Sequence, residues 1–120
     1  MKTLEDVIKV TREVIAENPD NVNPMDTDGQ CLYNGPDGRH CIAATVFIKL
    51  GYDISSADEG TNASDVVKQL DLDIDKSSAD FLDRLQGEAD DFATSPEQVQ
   101  GWSALKFTDE GKIIYPKDET

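Results

Sequence analysis

The run Cys31-Leu32-Tyr33-Asn34-Gly35-Pro36-Asp37-Gly38-Arg39-His40-Cys41-Ile42-Ala43-Ala44-Thr45-Val46-Phe47-Ile48-Lys49-Leu50-Gly51 decides how this chain folds. Its centre, Asn34 to Gly38, is dense in turn-forming residues and is flanked by short apolar runs, so the first half predicts a β-hairpin. Between Cys41 and Leu50 the residues are apolar nearly all round. A helix of that composition is buried on most sides, which makes it the expected centre of the core. Gly51 supplies its C-terminal cap.

Upstream, Leu4, Val7, Ile8, Thr11, Val14 and Ile15 recur at three- and four-residue spacing. This predicts an amphipathic helix capped by Thr3, running to about Glu17 and ended by Asn18-Pro19. Residues 18–30 are loop-like. Downstream, Thr61 or Asn62 caps a short helix to about Leu70, with Val66, Val67 and Leu70 inward. Leu70, Leu72 and Ile74 alternate with Asp71, Asp73 and Asp75, the period of a half-buried extended segment. Ser77 or Ser78 is expected to cap a helix carrying Phe81, Leu82, Leu85, Ala89 and Phe92, and Ser95-Pro96-Glu97 to start another. Residues 105–115 resemble a terminal hairpin, and 116–120 a frayed tail. The expected fold is therefore α+β: a mostly helical single domain over residues 1–120, with a central buried helix at about 41–50 and one or two β-hairpins.

Eleven basic and 25 acidic side chains leave a net charge of −14 over 120 residues. Direct nucleic-acid binding and anionic membrane surfaces are disfavoured, since both need clustered Lys and Arg. No stretch approaches the length of a membrane span, and Glu5 and Asp6 stand where a signal peptide would be apolar, so a cytoplasmic protein is expected. Residues 53–91 hold twelve acids against Lys68, Lys76 and Arg84. Asp71, Asp73, Asp75, Asp80 and Asp83 in this block are candidate contacts for a basic partner. Fourteen charges match roughly 24 Å of duplex, which makes a DNA mimic an alternative reading.

His40 beside Cys41 invites a thiol hydrolase or transferase, but side chains alternate along a strand, which turns His40 away from both cysteines. The same register sets Cys31 across from Cys41, within disulfide reach, with free thiols expected in a reducing compartment. Three donors without a fourth make no zinc site, and Asp71-x-Asp73-x-Asp75 lacks the glycine and closing glutamate of a calcium loop. No cofactor motif or catalytic constellation is present, so an enzyme is not expected. Tyr33 and Trp102, each near an element end, are candidate partner anchors, though closing the edge of a small core is the favoured reading for both.

The segment Cys31 to Gly51, with its Cys-Leu-Tyr, Gly-Pro-Asp-Gly, His-Cys-Ile and closing Leu-Gly, resembles a pattern in short uncharacterised proteins of bacteriophages and actinobacteria. There a C-x-Y hairpin leads into a C-I-x-G helix ending in L-G; this chain has Ala44 where that pattern usually shows glycine. The resemblance carries no activity. It implies a phage accessory protein that binds and modulates a host protein, in the host cytoplasm. Taken with the charge, the expected function is a non-enzymatic acidic binding protein with a basic protein partner.

Overall fold

The computed structural model describes residues 1–25, 31–94 and 99–115. Four α-helices carry it: α1 (Leu4–Glu17), α2 (Ile42–Lys49), α3 (Ala63–Gln69) and α4 (Lys76–Ala93). α1 and α4 pack on α2, and α3 packs on α4. As its composition requires, α2 is the centre, with Ile42, Ala43, Ala44, Val46 and Phe47 all closed to solvent.

Local chemistry explains the helix ends. Thr3 and Asp6 form a reciprocal capping box on α1, and Asn18 ends that helix before Pro19. Both α2 and α3 end in a Schellman motif. In α2 the Gly51 and Tyr52 N–H groups bond Ile48 and Phe47 carbonyls, with Gly51 at φ 97°. In α3 the Asp71 and Leu72 N–H groups bond Lys68 and Val67 carbonyls, but the left-handed position, φ 51°, is held by Asp71. α4 begins two or three residues earlier than its serines suggest: Asp75 is the cap, its carboxylate accepting from Ser78 N–H at 2.8 Å and Ser78 Oγ–H at 2.6 Å.

The α+β expectation is overturned. About half of the described residues are helical and no sheet forms among them. Pairing is confined to isolated bridges, Lys2 with Ile74, Met25 with Cys31, and Phe107 with Ile113. The turn around Pro36–Gly38 does bring Gly35 to Arg39 and Leu32 to Cys41, yet no ladder follows. The reason lies in where the backbone donors go. Leu32 N–H bonds the Pro24 carbonyl, while Tyr33 N–H and Asn34 N–H both bond the Glu59 carboxylate. The arm is stitched to the two neighbouring loops, and only Gly35 N–H is left to bond the opposing arm, at the Arg39 carbonyl. Likewise Leu70 caps α3, so the alternating 70–75 stretch contributes only the Ile74 bridge. The 105–115 segment turns at Thr108–Gly111 but pairs only Phe107 with Ile113. The helix start expected at Ser95-Pro96-Glu97 and the tail 116–120 lie outside the described residues.

The 99–115 segment closes one side of the core. Phe107 meets Phe81 edge-on at 5.2 Å, and the Arg12 guanidinium lies 4.7 Å over the Phe107 ring. Gly101 passes so close to Pro19 and Asp20 that a Cβ would sit 2.7 Å from the Pro19 carbonyl oxygen. That approach lets Trp102 N–H and Ser103 N–H bond the Asn21 and Pro19 carbonyls.

Candidate functional site

The most distinctive chemistry is a buried polar cluster where the N-terminus of α2 meets α4. Asn23 is 2 % exposed and is satisfied on both ends: Oδ1 accepts from Ile42 N–H at 2.9 Å and Trp102 Nε1–H at 3.1 Å, while Nδ2 donates to Asp90 Oδ1 at 2.7 Å. Gln86 accepts from Ala43 N–H at 3.1 Å through Oε1 and donates through Nε2 to Cys31 Sγ. These side chains receive the first two N–H groups of α2, which that helix cannot satisfy itself. The cluster is therefore a side-chain cap made from remote parts of the chain.

Cys31 and Cys41 complete it. Both thiols are free and buried; Cys41 stands at the cap position of α2, with its N–H bonded to the carbonyl of Leu32 next to Cys31. Burial pushes the Cys41 thiol up, but the neighbouring polar groups of Cys31, Gln86 and the Ala44 amide outweigh that, and the net shift is down. Cys31 is driven up, first by the neighbouring Cys41 thiol and next by burial. Burial also raises the Asp90 carboxyl, against the bond it accepts from Asn23. A small pocket of about 90 Å³, lined by Cys31, Thr61, Asn62, Asp83, Gln86 and Asp90 among others, opens onto this cluster. Cys41 is not part of its wall.

His40 belongs to a different environment. Its Nδ1 donates to the Tyr33 carbonyl at 2.7 Å, which fixes the hydrogen on Nδ1 because a carbonyl only accepts. The ring lines a groove of about 530 Å³ with Asn18, Asp20, Asn21, Arg39 and Thr45. Cys41 does not reach that groove. The two halves of the imagined thiol dyad thus lie in separate places, as the alternation of side chains implies. Among the described residues no group of three or more His, Cys, Asp or Glu side chains could hold a metal ion.

The other sequence candidates divide. Tyr33 and Trp102 are core residues, 0 % and 2 % exposed, with Tyr33 Oη–H bonded to the Thr61 carbonyl and the Trp102 indole to Asn23. Neither presents a surface to a partner. Asp75 caps α4, Asp83 accepts from Ser64 N–H at 2.8 Å, and Asp80 pairs with Lys76 at 2.9 Å. Asp71 and Asp73 stand exposed, Asp73 beside the Met1 ammonium at 3.1 Å. Four of the five acids thus have partners within the fold, and Asp71 has none among these contacts. Asn23, Gln86 and Asp90 went unnoticed in the sequence. Gln86 and Asp90, four residues apart and in line with Leu82 on α4, were the available signal: polar groups interrupting an apolar stripe.

Among the described residues no helix is long and apolar enough to cross a membrane. Compared with known proteins, the chain matches no family model, no curated protein and no solved structure.

Proposed function

We propose that this is a non-catalytic binding protein, of the phage-accessory kind, that docks a basic protein partner on the acidic surface around α3. Asp53, Asp58, Glu59, Asp65, Asp71 and Asp73 are all exposed, and Lys68 is the one basic residue of that span. Gln69 ties the two acidic segments together, accepting from Asp58 N–H and donating to the Ser56 carbonyl, both at 3.0 Å. A field of one sign on adjoining segments steers an oppositely charged partner and sets its orientation.

The observation that carries this reading is Asp71. Its φ of 51° is a position where glycine is relaxed, as Gly51 is at the matching place after α2. A carboxylate kept there at conformational cost fits a surface group that is needed for something other than folding. Asp75, Asp83 and Asp90 are turned to donors within the fold, as are Asp53, Glu59 and Asp65, which leaves a phosphate-like row of free charges without support.

Asp71→Gly and the triple variant Asp58→Asn/Asp71→Asn/Asp73→Asn test the reading in pull-downs from bacterial lysate. Wild type should retain basic proteins at low salt and release them at high salt. Asp71→Gly should be more stable yet retain less, a trade of stability for function. Equal retention by wild type and the triple variant, or none by wild type, rejects the proposal.

A further inference from the structure

The Asn34-Gly35 pair at the turn has a chemistry that neither the fold nor the binding reading uses. An asparagine followed by glycine can close a five-membered imide through the glycine nitrogen, because glycine has no side chain to hinder the approach. The structure assigns Asn34 as a self-modification site: when the arm beginning at Cys31 opens, Asn34 converts to aspartate or isoaspartate, and the new carboxylate keeps the arm from docking again. Asn34 is the one asparagine of five that precedes glycine; Asn18 and Asn23 precede proline, Asn21 valine and Asn62 alanine. It is exposed, so water reaches it. In the docked arm both reacting groups are engaged. Asn34 Nδ2–H donates to the Ile54 carbonyl at 3.0 Å, and Gly35 N–H donates to the Arg39 carbonyl at 2.8 Å. Glu59 holds the arm in place, its carboxylate accepting from Tyr33 N–H at 2.6 Å and Asn34 N–H at 3.0 Å. Reaction therefore waits on a local opening that breaks these bonds.

The steps balance. Hydroxide takes the Gly35 N–H proton, and the Gly35 nitrogen attacks the side-chain carbonyl carbon of Asn34. A C–N bond forms, and the carboxamide nitrogen leaves as ammonia with a proton from water. Water then adds to one of the two imide carbonyls and the C–N bond there breaks. The product is aspartate or, where the backbone now runs through the side-chain carbon, isoaspartate. In sum, carboxamide and water become carboxylate and ammonium, with no change of oxidation state. The product cannot resume the old contacts. A carboxylate has no hydrogen for the Ile54 carbonyl, so two acceptors would face each other. It also places a negative charge on the residue whose N–H the Glu59 carboxylate holds, in a chain already at −14. Isoaspartate further inserts a methylene into the backbone just before Gly35, whose N–H pairs with Arg39 across the turn.

The test incubates the protein in mildly alkaline buffer, with and without unfolding guanidinium chloride, then digests it and follows the Asn34 peptide by mass spectrometry. The unfolded chain should convert at Asn34 ahead of Asn21 and Asn62. Native protein should convert at the same site more slowly by about tenfold or more, since only the open arm reacts. Glu59→Ala frees two N–H groups of the arm and should speed native conversion by about fivefold or more. Asn34→Asp supplies one product directly: its Tyr33 amide hydrogen should exchange about tenfold faster than in wild type, a larger change than at the amides of α1. No conversion at Asn34 in the unfolded chain, native conversion as fast as unfolded, Glu59→Ala no faster than wild type, or unchanged Tyr33 exchange in Asn34→Asp would each overturn the inference. If circular dichroism shows that Glu59→Ala has not folded, the native-to-unfolded ratio of wild type and the exchange of Asn34→Asp decide. Partner retention plays no part in these readouts, so failure of the binding proposal leaves the inference intact.

Discussion

Asn23 shows how much one residue can hold. It sits in a loop that has no periodicity, yet it satisfies the first N–H of α2, the Trp102 indole and the Asp90 carboxylate together. Replacing it with alanine leaves two buried donors without an acceptor, each costing about 1–3 kcal/mol. Asn23→Ala should therefore lose about 2–4 kcal/mol in urea unfolding; a loss no larger than that of an exposed asparagine such as Asn21 would show that water replaces it. Asp90 has the opposite leaning. Burial holds its carboxyl above the value of the unfolded chain, so ionisation opposes folding and the site's contribution fades as pH rises through that raised value. Asp90→Asn keeps an oxygen for the Asn23 amide, and it should exceed wild type in stability at about pH 7 by a margin that shrinks toward about pH 3. Chemical denaturation across pH reads that margin, and a margin that grows on acidification would contradict the burial argument. Asp6 and Asp53 run the other way: N–H groups of Thr3 and Ser55 hold them below the usual carboxylate range, so their support is present at neutral pH and lost on acidification. None of the three residues of the Asn23–Gln86–Asp90 cluster is legible alone, because each one's partner lies at least 19 residues away.

At the scale of elements, helices were legible and strands were not. Thr3 to Glu17 and Ile42 to Lys49 read directly, because 3.6-residue periodicity and capping are local properties. The hairpin at 31–41 failed for a nonlocal reason: Glu59 and the Pro24 carbonyl take the donors its arm would need. Two helix ends give sharp tests. Asp71→Gly relaxes a left-handed residue and should stabilise by about 1 kcal/mol in thermal or urea unfolding, with destabilisation counting against strain at φ 51°. Asp75→Ala removes the cap of α4 and should cost about 1 kcal/mol. If it costs nothing while Ser77→Ala does, the cap belongs to the serine that the sequence suggested.

For the whole molecule the dominant quantity is the net charge of −14. The four ion pairs found among the described residues involve largely exposed side chains, the kind that contribute little. Self-repulsion should therefore outweigh attraction, and Tm should rise as NaCl increases from about 20 mM toward the physiological range, where the Debye length shortens to about 8 Å. A falling Tm would mean that the ion pairs matter more than the excess. The sequence by itself determined the helices, the buried centre at α2 and the nearness of Cys31 to Cys41, because periodicity and turn chemistry are readable along the chain. Only the tertiary structure decided that no sheet forms, that Tyr33 and Trp102 are core, and that the acids at 75, 83 and 90 serve the fold. It also decided that Asn23, Gln86 and Asp90 converge on the cysteine pair. The physical reason is that a backbone donor or buried polar group bonds whichever acceptor the packing brings near, and that choice is made across the fold.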